Sequence, residues 1–254
     1  MAKNAYVGVD AVTRRIAQSY IGIDNVARKV TKGYIGVDNV ARQFLIGGTP
    51  LSKLGVGTSV WMNVNGSPTE FYIMHQGRPY TENSLYDASC SGTWLIMKSL
   101  YNGGEKIQWD TTNNDYAESD MHSFLNSTVL HQFDVNIQNI IKQVKIPYWS
   151  GTGTVKSGAD GLSTKIFLLG GYEVGYTTSD SPYFPVDGAE LRKTPPWGST
   201  AMWLRSASTA NTTYVWVTQG TSKHYTYCTV SLAIRPALIL PNETLVDTNF
   251  NVIT

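Results

Sequence analysis

The sequence predicts an α+β domain preceded by a region of β-hairpin repeats. Three observations carry that expectation. The first 46 residues contain a repeat that opens on Tyr6, Tyr20 and Tyr34, 14 residues apart each time. The centre holds two stretches with helix start signals and helical apolar spacing. The C-terminal third is a series of short β-branched and aromatic runs separated by turn residues, as strands are. Composition agrees. Of 254 residues, 42% are hydrophobic and 15% charged, with a net charge of +1. That supplies a core and argues against disorder or broad electrostatic attraction to nucleic acid.

Each N-terminal unit, "YVGVDAVTRRI", "YIGIDNVARKV" and "YIGVDNVARQF", reads as two β-branched strands around an Asp-Ala or Asp-Asn corner. Asn and Asp tolerate the left-handed backbone of a two-residue corner. That corner pairs Val37 with Val40 and Ile35 with Arg42. Because 14 is even, every unit presents the same faces. One hairpin cannot bury its aliphatic face alone, so residues 1–46 are expected to form a β-meander that attaches or oligomerises, with a homo-oligomer, trimer favoured. Arg14, Arg15, Arg28, Lys29 and Arg42 fit a solvated face.

The Gly/Pro-containing break "IGGTPLSKLGVGTSV" reads as a linker over 47–58, followed by a domain over 59–241 and a tail over 242–254. "WMNVNGSPTEFYIMHQG" is a hairpin about Asn65-Gly66. "TWLIMKSLY" is apolar with ambiguous period. Ser119 or Asp120 caps a short helix through "MHSFLN". A second helix is expected in "DVNIQNIIKQV", capped by Asp134, with Ile137, Ile140, Ile141 and Val144 on one face. "TKIFLLGGYEV", "AMWLRSAS", "YVWVT", "YTYCTV" and "LAIRPALILP" are strands. Helices followed by several strands make an α+β order.

Motifs for chemistry are sparse. His75, His122, His131 and His224 lie at no metal-ligand spacing, and no nucleophile elbow or phosphate loop occurs. Cys90 and Cys228 make neither a disulfide framework nor a zinc site, and read as two partly buried free thiols. Asp115, Glu118 and Asp120 in "NNDYAESD" lack the ligand density of a calcium loop and suit a solvated loop with a helix cap. Arg205 and Arg235, inside apolar strands, are expected to cross-link carbonyls or a carboxylate within the fold. No cofactor, metal or catalytic residue is expected, and neither is a membrane span or secretion signal, which places synthesis in the cytosol.

The run "TTYVWVTQGTSKHYTYCTV", Thr212 to Val230, is dense in aromatics. As a hairpin turning at Gln219 to Ser222, it buries Val215, Val217, Cys228 and Val230 on one side. The other side presents Tyr214, Trp216, Thr218, Tyr225, Tyr227 and Thr229. Tyr and Trp among Ser, Thr and Asn give large contact area at low rotamer cost, as in antibody paratopes. Alternation alone leaves two readings open: an exposed binding face, or aromatics covered by a second layer of the domain.

Several segments resemble a known family. "SLYDASCSGTWLIMKSLY", "NDYAESDMHSFLN", "FDVNIQNIIKQVKIPY", "KIFLLGGYEVGYTTSDSPYFPVDGA", "WLRSAS" and "IRPALILP" look like the DUF6273 domain of gut Firmicutes and their phages. The N-terminal units are similar to repeats in tail proteins of such phages. The resemblance implies a C-type lectin-like fold, shared with formylglycine-generating enzymes and with variable proteins of diversity-generating retroelements. In the latter, a C-terminal segment is rewritten at adenine-containing codons toward Tyr, Ser, Thr, His, Asn and Asp. The implied ligand-binding set is Ser206, Ser208, Asn211, Thr213, Tyr214, Trp216, Ser222, His224, Tyr225, Tyr227 and Thr229, with Trp216 as framework and "SLAIRPALIL" as the fixed end. It implies a virion protein of the phage tail whose partners are a host-surface protein or glycan and other tail proteins. The alternatives are a structural tail component whose hairpin packs on a neighbour, and an enzyme of the formylglycine-generating type. For the enzyme, only Cys228 lies in the part of the chain where that chemistry uses a cysteine pair.

Overall fold

A computed structural model describes residues 47–79, 85–151, 155–171, 173–174, 200–209, 211–220 and 222–254, together with the backbone of six strands between residues 6 and 46. Those six are β1 (Tyr6–Val9), β2 (Val12–Arg15), β3 (Ser19–Ile23), β4 (Val26–Val30), β5 (Lys32–Val37) and β6 (Val40–Ile46). They pair as three antiparallel hairpins, and the expected register holds in the third, Val37 opposite Val40 and Ile35 opposite Arg42. Each hairpin is a two-stranded sheet of its own, so a continuous meander is not what the strands form.

The main sheet is antiparallel throughout. Its strands are β8 (Ser59–Val64), β9 (Ser67–Gln76), β10 (Thr93–Met97), β16 (Ile166–Phe167) and β21 (Ala237–Leu240), in the order β16-β21-β10-β9-β8. Asn65 and Gly66 have φ of 51° and 72° and close β8 onto β9 with Val64 opposite Ser67, the two left-handed residues that such a tight hairpin needs. The ambiguous "TWLIM" run is central strand β10. Every residue of it and of β21 is buried, which is why the run shows no alternation: both faces are covered.

Helix α1 (Asp120–Phe124) continues as a wider π turn over Leu125–Val129. Ser119, not Asp120, caps it: the Ser119 hydroxyl accepts from the His122 N–H at 3.1 Å. Met121, Leu125 and Val129 recur every four residues and are buried. Helix α2 (Val135–Ile140) is shorter than its apolar spacing suggests. Ile141 turns extended, the Lys142 N–H donates to the Ile239 carbonyl, and Val144 opens a strand, β12 (Val144–Ile146), paired with β15 (Leu162–Thr164). Competition from sheet partners and the extended preference imposed before Pro147 end the helix early. Asp134 stands at its start without capping it, and its carboxylate accepts instead from Asn63 Nδ2 at 3.1 Å.

The stretches read as linker and tail are built into the same unit. β7 (Thr49–Pro50) pairs with β22 (Leu245–Val246), which pairs with β23 (Val252–Ile253). Leu51 and Val246 are wholly buried, and the Leu51 N–H donates to Thr244 O at 2.8 Å. The smaller pairs β11 (Ile107–Gln108) with β20 (Ser231–Leu232), and β13 (Tyr148–Trp149) with β14 (Val155–Lys156), join peripheral loops. A three-stranded sheet, β17 (Ala201–Ala207), β18 (Tyr214–Gln219) and β19 (Ser222–Tyr227), carries the aromatic hairpin with β19 at its edge. The molecule is thus α+β with strands predominating.

At its centre lies a buried ion pair. The Arg205 guanidinium donates to both carboxylate oxygens of Glu173, to Leu168 O at 2.8 Å and to Pro147 O at 3.0 Å. Glu173 also accepts from the Tyr86 hydroxyl at 2.6 Å and the Gly170 N–H at 2.7 Å. Burial alone lowers the pKa of Arg205, and the Glu173 charge more than reverses this, so the net shift is upward. Arg235, likewise buried, donates from Nε to Met97 O at 3.0 Å. Both arginines cross-link the fold as expected. Removing one member leaves a desolvated charge, so Arg205→Met is expected to cost about 3–5 kcal/mol in urea unfolding. The double variant Arg205→Met/Glu173→Leu should recover part of that; a single variant within about 0.5 kcal/mol of wild type would contradict the network's weight.

Several buried acidic hydrogens define an alkaline limit. Burial pushes the Cys90 thiol from 9.0 up to about 12, and raises the Tyr86 and Tyr116 hydroxyls too. A group whose folded pKa is raised contributes fully below its unfolded value and loses that contribution as pH rises through the folded one. The unfolding midpoint should therefore fall as pH rises from about 9 toward 12. Cys90→Ala should flatten the first part of that fall; an unchanged profile would show that Cys90 does not contribute.

Candidate functional site

The aromatic hairpin is built by register. Cross-strand partners Tyr214–Tyr227, Trp216–Tyr225 and Thr218–Lys223 share one face, while Val215–Thr226 and Val217–His224 share the other, since partners in an antiparallel pair point to the same side. Gly220, at φ 57°, begins the turn, and Gln219 pairs with Ser222.

On the first face the rings form a continuous ladder. Tyr214 stacks on Tyr225 at 5.7 Å and 25°, and meets Tyr227 edge-on at 4.6 Å. Trp216 meets Tyr225 edge-on at 5.8 Å, and Lys223 Nζ sits 4.7 Å from the Trp216 ring centre. The Tyr214 hydroxyl titrates above the ordinary phenol value because it is hydrogen-bonded to Tyr227. The ladder is open to solvent: Tyr225 is 56% exposed and Tyr227 53%. Of the two readings that alternation allowed, no second layer of described residues covers this face. The rings are mutually braced, so they are held out at little further entropic cost.

The sequence-derived set divides on this geometry. Ser222, Tyr225, Tyr227 and Thr229 are exposed, and Asn211, Thr213, Tyr214 and Trp216 are half-buried around them. His224 is exposed but on the opposite face from the tyrosines. Ser206 and Ser208 are buried and do not belong to the display. The Ser206 hydroxyl accepts from the Gly171 N–H at 2.8 Å, and the Ser208 N–H donates to Tyr214 O at 2.9 Å, so both are framework. Thr218, expected on the displayed face, is buried because it lies mid-sheet between Met202 and Lys223. Val230, expected inside, is 37% exposed in the turn after Cys228.

What fastens the display is the segment from Ile107 to Asp120, whose role sequence reasoning missed. The Asn114 side-chain amide donates from Nδ2 toward the carbonyls of Ser208, Asn211 and Tyr214 at 3.0, 2.8 and 2.8 Å, and its N–H donates to Thr212 O at 2.8 Å. Its own Oδ1 is buried without a hydrogen-bond partner among the described residues. Nearby, the Asp110 N–H donates to Cys228 O at 3.1 Å, the Cys228 N–H donates to Thr213 O at 2.7 Å, and the Trp203 indole donates to Ile107 O at 2.9 Å. Burial alone would raise the Asp110 pKa, but hydrogen bonds from Asn113, Thr112 and Asp120 hold it below the ordinary carboxylate value. The only signal in the sequence was an amide inside a run read for its acids, "NNDYAESD".

Cys90 and Cys228 are both free and buried, and burial raises both thiols, which keeps them protonated and unreactive near neutral pH. Among the described residues no group of three or more His, Cys, Asp or Glu is placed to hold a metal ion, and no helix is long and apolar enough to cross a membrane.

Asn114→Asp replaces a donor with a carboxylate facing three carbonyl oxygens. It should destabilise the protein by at least about 2 kcal/mol and speed proteolysis within residues 208–214. An unchanged cleavage rate would show that the loop is held by other means.

Comparison with known proteins places this unit. No curated protein and no solved structure matches the chain. A family model described as "Domain of unknown function (DUF6273)" matches residues 91–242. That span runs from the start of β10 through the 107–120 platform and the aromatic hairpin to the end of β21, more than half of the chain, and the protein therefore belongs to the DUF6273 family.

Proposed function

We propose that this is a phage tail-associated receptor-binding protein whose hairpin of residues 214–227 contacts a ligand on the host cell surface. One observation carries the reading: Tyr225 and Tyr227 stand open to solvent on edge strand β19, braced by the half-buried Tyr214 and Trp216 of the neighbouring β18. Exposed aromatic rings grouped on one face are a feature of interaction surfaces, and Tyr and Trp are enriched at the energetic centres of interfaces. The tail assignment, the C-type lectin-like fold and codon-level diversification of the hairpin are parts of the proposal that rest on the sequence resemblances of the domain and the N-terminal repeats. Binding requires no covalent step; affinity comes from burying the rings and from hydrogen bonds of their hydroxyls and of neighbouring Thr and Ser.

The alternative, a tail component whose hairpin packs on a neighbouring subunit, draws on the same edge strand, which offers unpaired backbone groups to a second chain. Tyr214→Ala, Tyr225→Ala and Tyr227→Ala combined should abolish adsorption to host cells while thermal unfolding stays close to wild type. Unchanged adsorption would refute the site. Loss of virion assembly in place of adsorption would favour the packing alternative.

A further inference from the structure

A second feature of the domain has no part in that reading. Between the β8–β9 hairpin and the segment that follows β10 lies an open groove of about 430 Å³, within the range of small-molecule clefts. Its floor is apolar, from Val64, Met97 and Leu100, and one wall is the indole of Trp61. Trp61 also lines a neighbouring hollow of about 220 Å³, so the ring separates two depressions. Strand alternation explains its position. Val60, Met62 and Val64 are buried, and Ser59, Trp61 and Asn63 alternate with them on the other side of β8, where Trp61 is half-buried beside Asn251 and Val252.

Polar groups are fixed around this ring. The Tyr101 hydroxyl donates to Gln132 Oε1 at 3.1 Å, and Gln132 Nε2 donates back at 2.8 Å, which locks both side chains. Asn102 Nδ2 donates to Glu105 at 2.7 Å, which fixes the amide at the opposite lip. That lip is left-handed over three consecutive residues, Asn102, Gly103 and Gly104, with φ of 46°, 69° and 97°. Behind Trp61, its N–H donates to the carbonyl of Phe250 at 2.9 Å, and Phe250 itself has φ of 62°.

Charge selects the ligand class. Among the described residues Glu70 is the only charged side chain lining the groove and is paired with Lys98 Nζ at 2.8 Å, while Glu105 at the lip is engaged by Asn102. Neither an anion nor a cation gains from entering. An aromatic face with electron density above it attracts the weakly positive C–H face of a sugar ring, and the flanking amides and hydroxyls match sugar hydroxyls in donor and acceptor capacity. The geometry points to a binding site for a short neutral saccharide on Trp61, with Gln132 and Asn102 as its polar contacts. It shares no residue with the aromatic hairpin, so it stands or falls separately from the receptor-binding reading.

The test uses the full chain with maltotriose, cellotriose, chitotriose and mannotriose as probes, by saturation-transfer NMR and calorimetry. At least one should bind at low-millimolar concentration or better. Trp61→Ala should weaken it at least about tenfold with an unchanged unfolding midpoint. Trp61→Phe should keep most of the binding, because a ring face remains. The combined Tyr214, Tyr225 and Tyr227 to Ala variant should bind as wild type. Failure of all four probes, equal binding by Trp61→Ala, or preference for sulfated over neutral trisaccharides would each overturn the assignment.

Discussion

The fold turns on the Arg205–Glu173 pair. Apolar burial drives collapse but is non-directional, and many of the core residues here, such as the ALIL and TWLIM strands, could pack in more than one relative orientation. The ion pair is directional. A planar guanidinium must satisfy two carboxylate oxygens and two carbonyls at once, and those partners come from the segments at 147, 168 and 173 while Tyr86 completes the carboxylate. The network therefore fixes where β17 lies, and through β17 where β18 and the edge strand β19 are displayed. Gly170 belongs to the same constraint: a Cβ there would lie 3.3 Å from Arg205 Cζ, tighter than ordinary contact, while its N–H serves Glu173. Buried charge of this kind contributes little net stability against an apolar substitute and much to uniqueness once any one partner depends on the rest.

Much of this was legible in the sequence where a local rule decided the outcome. Asn65-Gly66 dictated a tight hairpin, the two-residue Asp-Asn corner dictated the register around Val37 and Val40, and an arginine inside an apolar strand announced an internal cross-link. The tyrosine face followed from alternation alone. What was not legible depended on partners far away in sequence. Helix α2 stops at Ile140 because Lys142 is claimed by Ile239. "Linker" and "tail" are strands because each supplies the other's missing partner. Ser206, Ser208 and Thr218 look like display residues by type, yet Ser206 and Thr218 sit on strands covered or flanked by other elements, and Ser208 is buried just past the end of β17. Asn114 was invisible because its importance lies in three carbonyls nearly a hundred residues away.

The division between what is buried and what is shown bears on the proposed function. Among the described residues of 215–229 the buried positions are Val215, Val217, Thr218 and Cys228; Val215, Val217 and Cys228, together with half-buried Trp216, carry the contact with the core. Asn114 takes the backbone carbonyls of Ser208, Asn211 and Tyr214, contacts that do not depend on the side chain at 214, while the Asn211 side chain adds its own brace by accepting from the Thr213 N–H and hydroxyl. Exposed positions on β19 touch little of the core, and substitutions at such sites usually move stability by less than about 0.5 kcal/mol. A scaffold organised this way separates holding from displaying: the face can take a different set of side chains while the register, the turn and the fastening stay. The same edge would invite strand-to-strand aggregation if it were uniformly apolar, and Lys223 and His224, polar groups at the turn end of β19, are placed where edge strands place such guards. A surface that must stay soluble alone and still bury aromatic area on contact needs both properties, and in this hairpin one short strand supplies them, with Lys223 on the same face as Tyr225 and Tyr227 and His224 on the other.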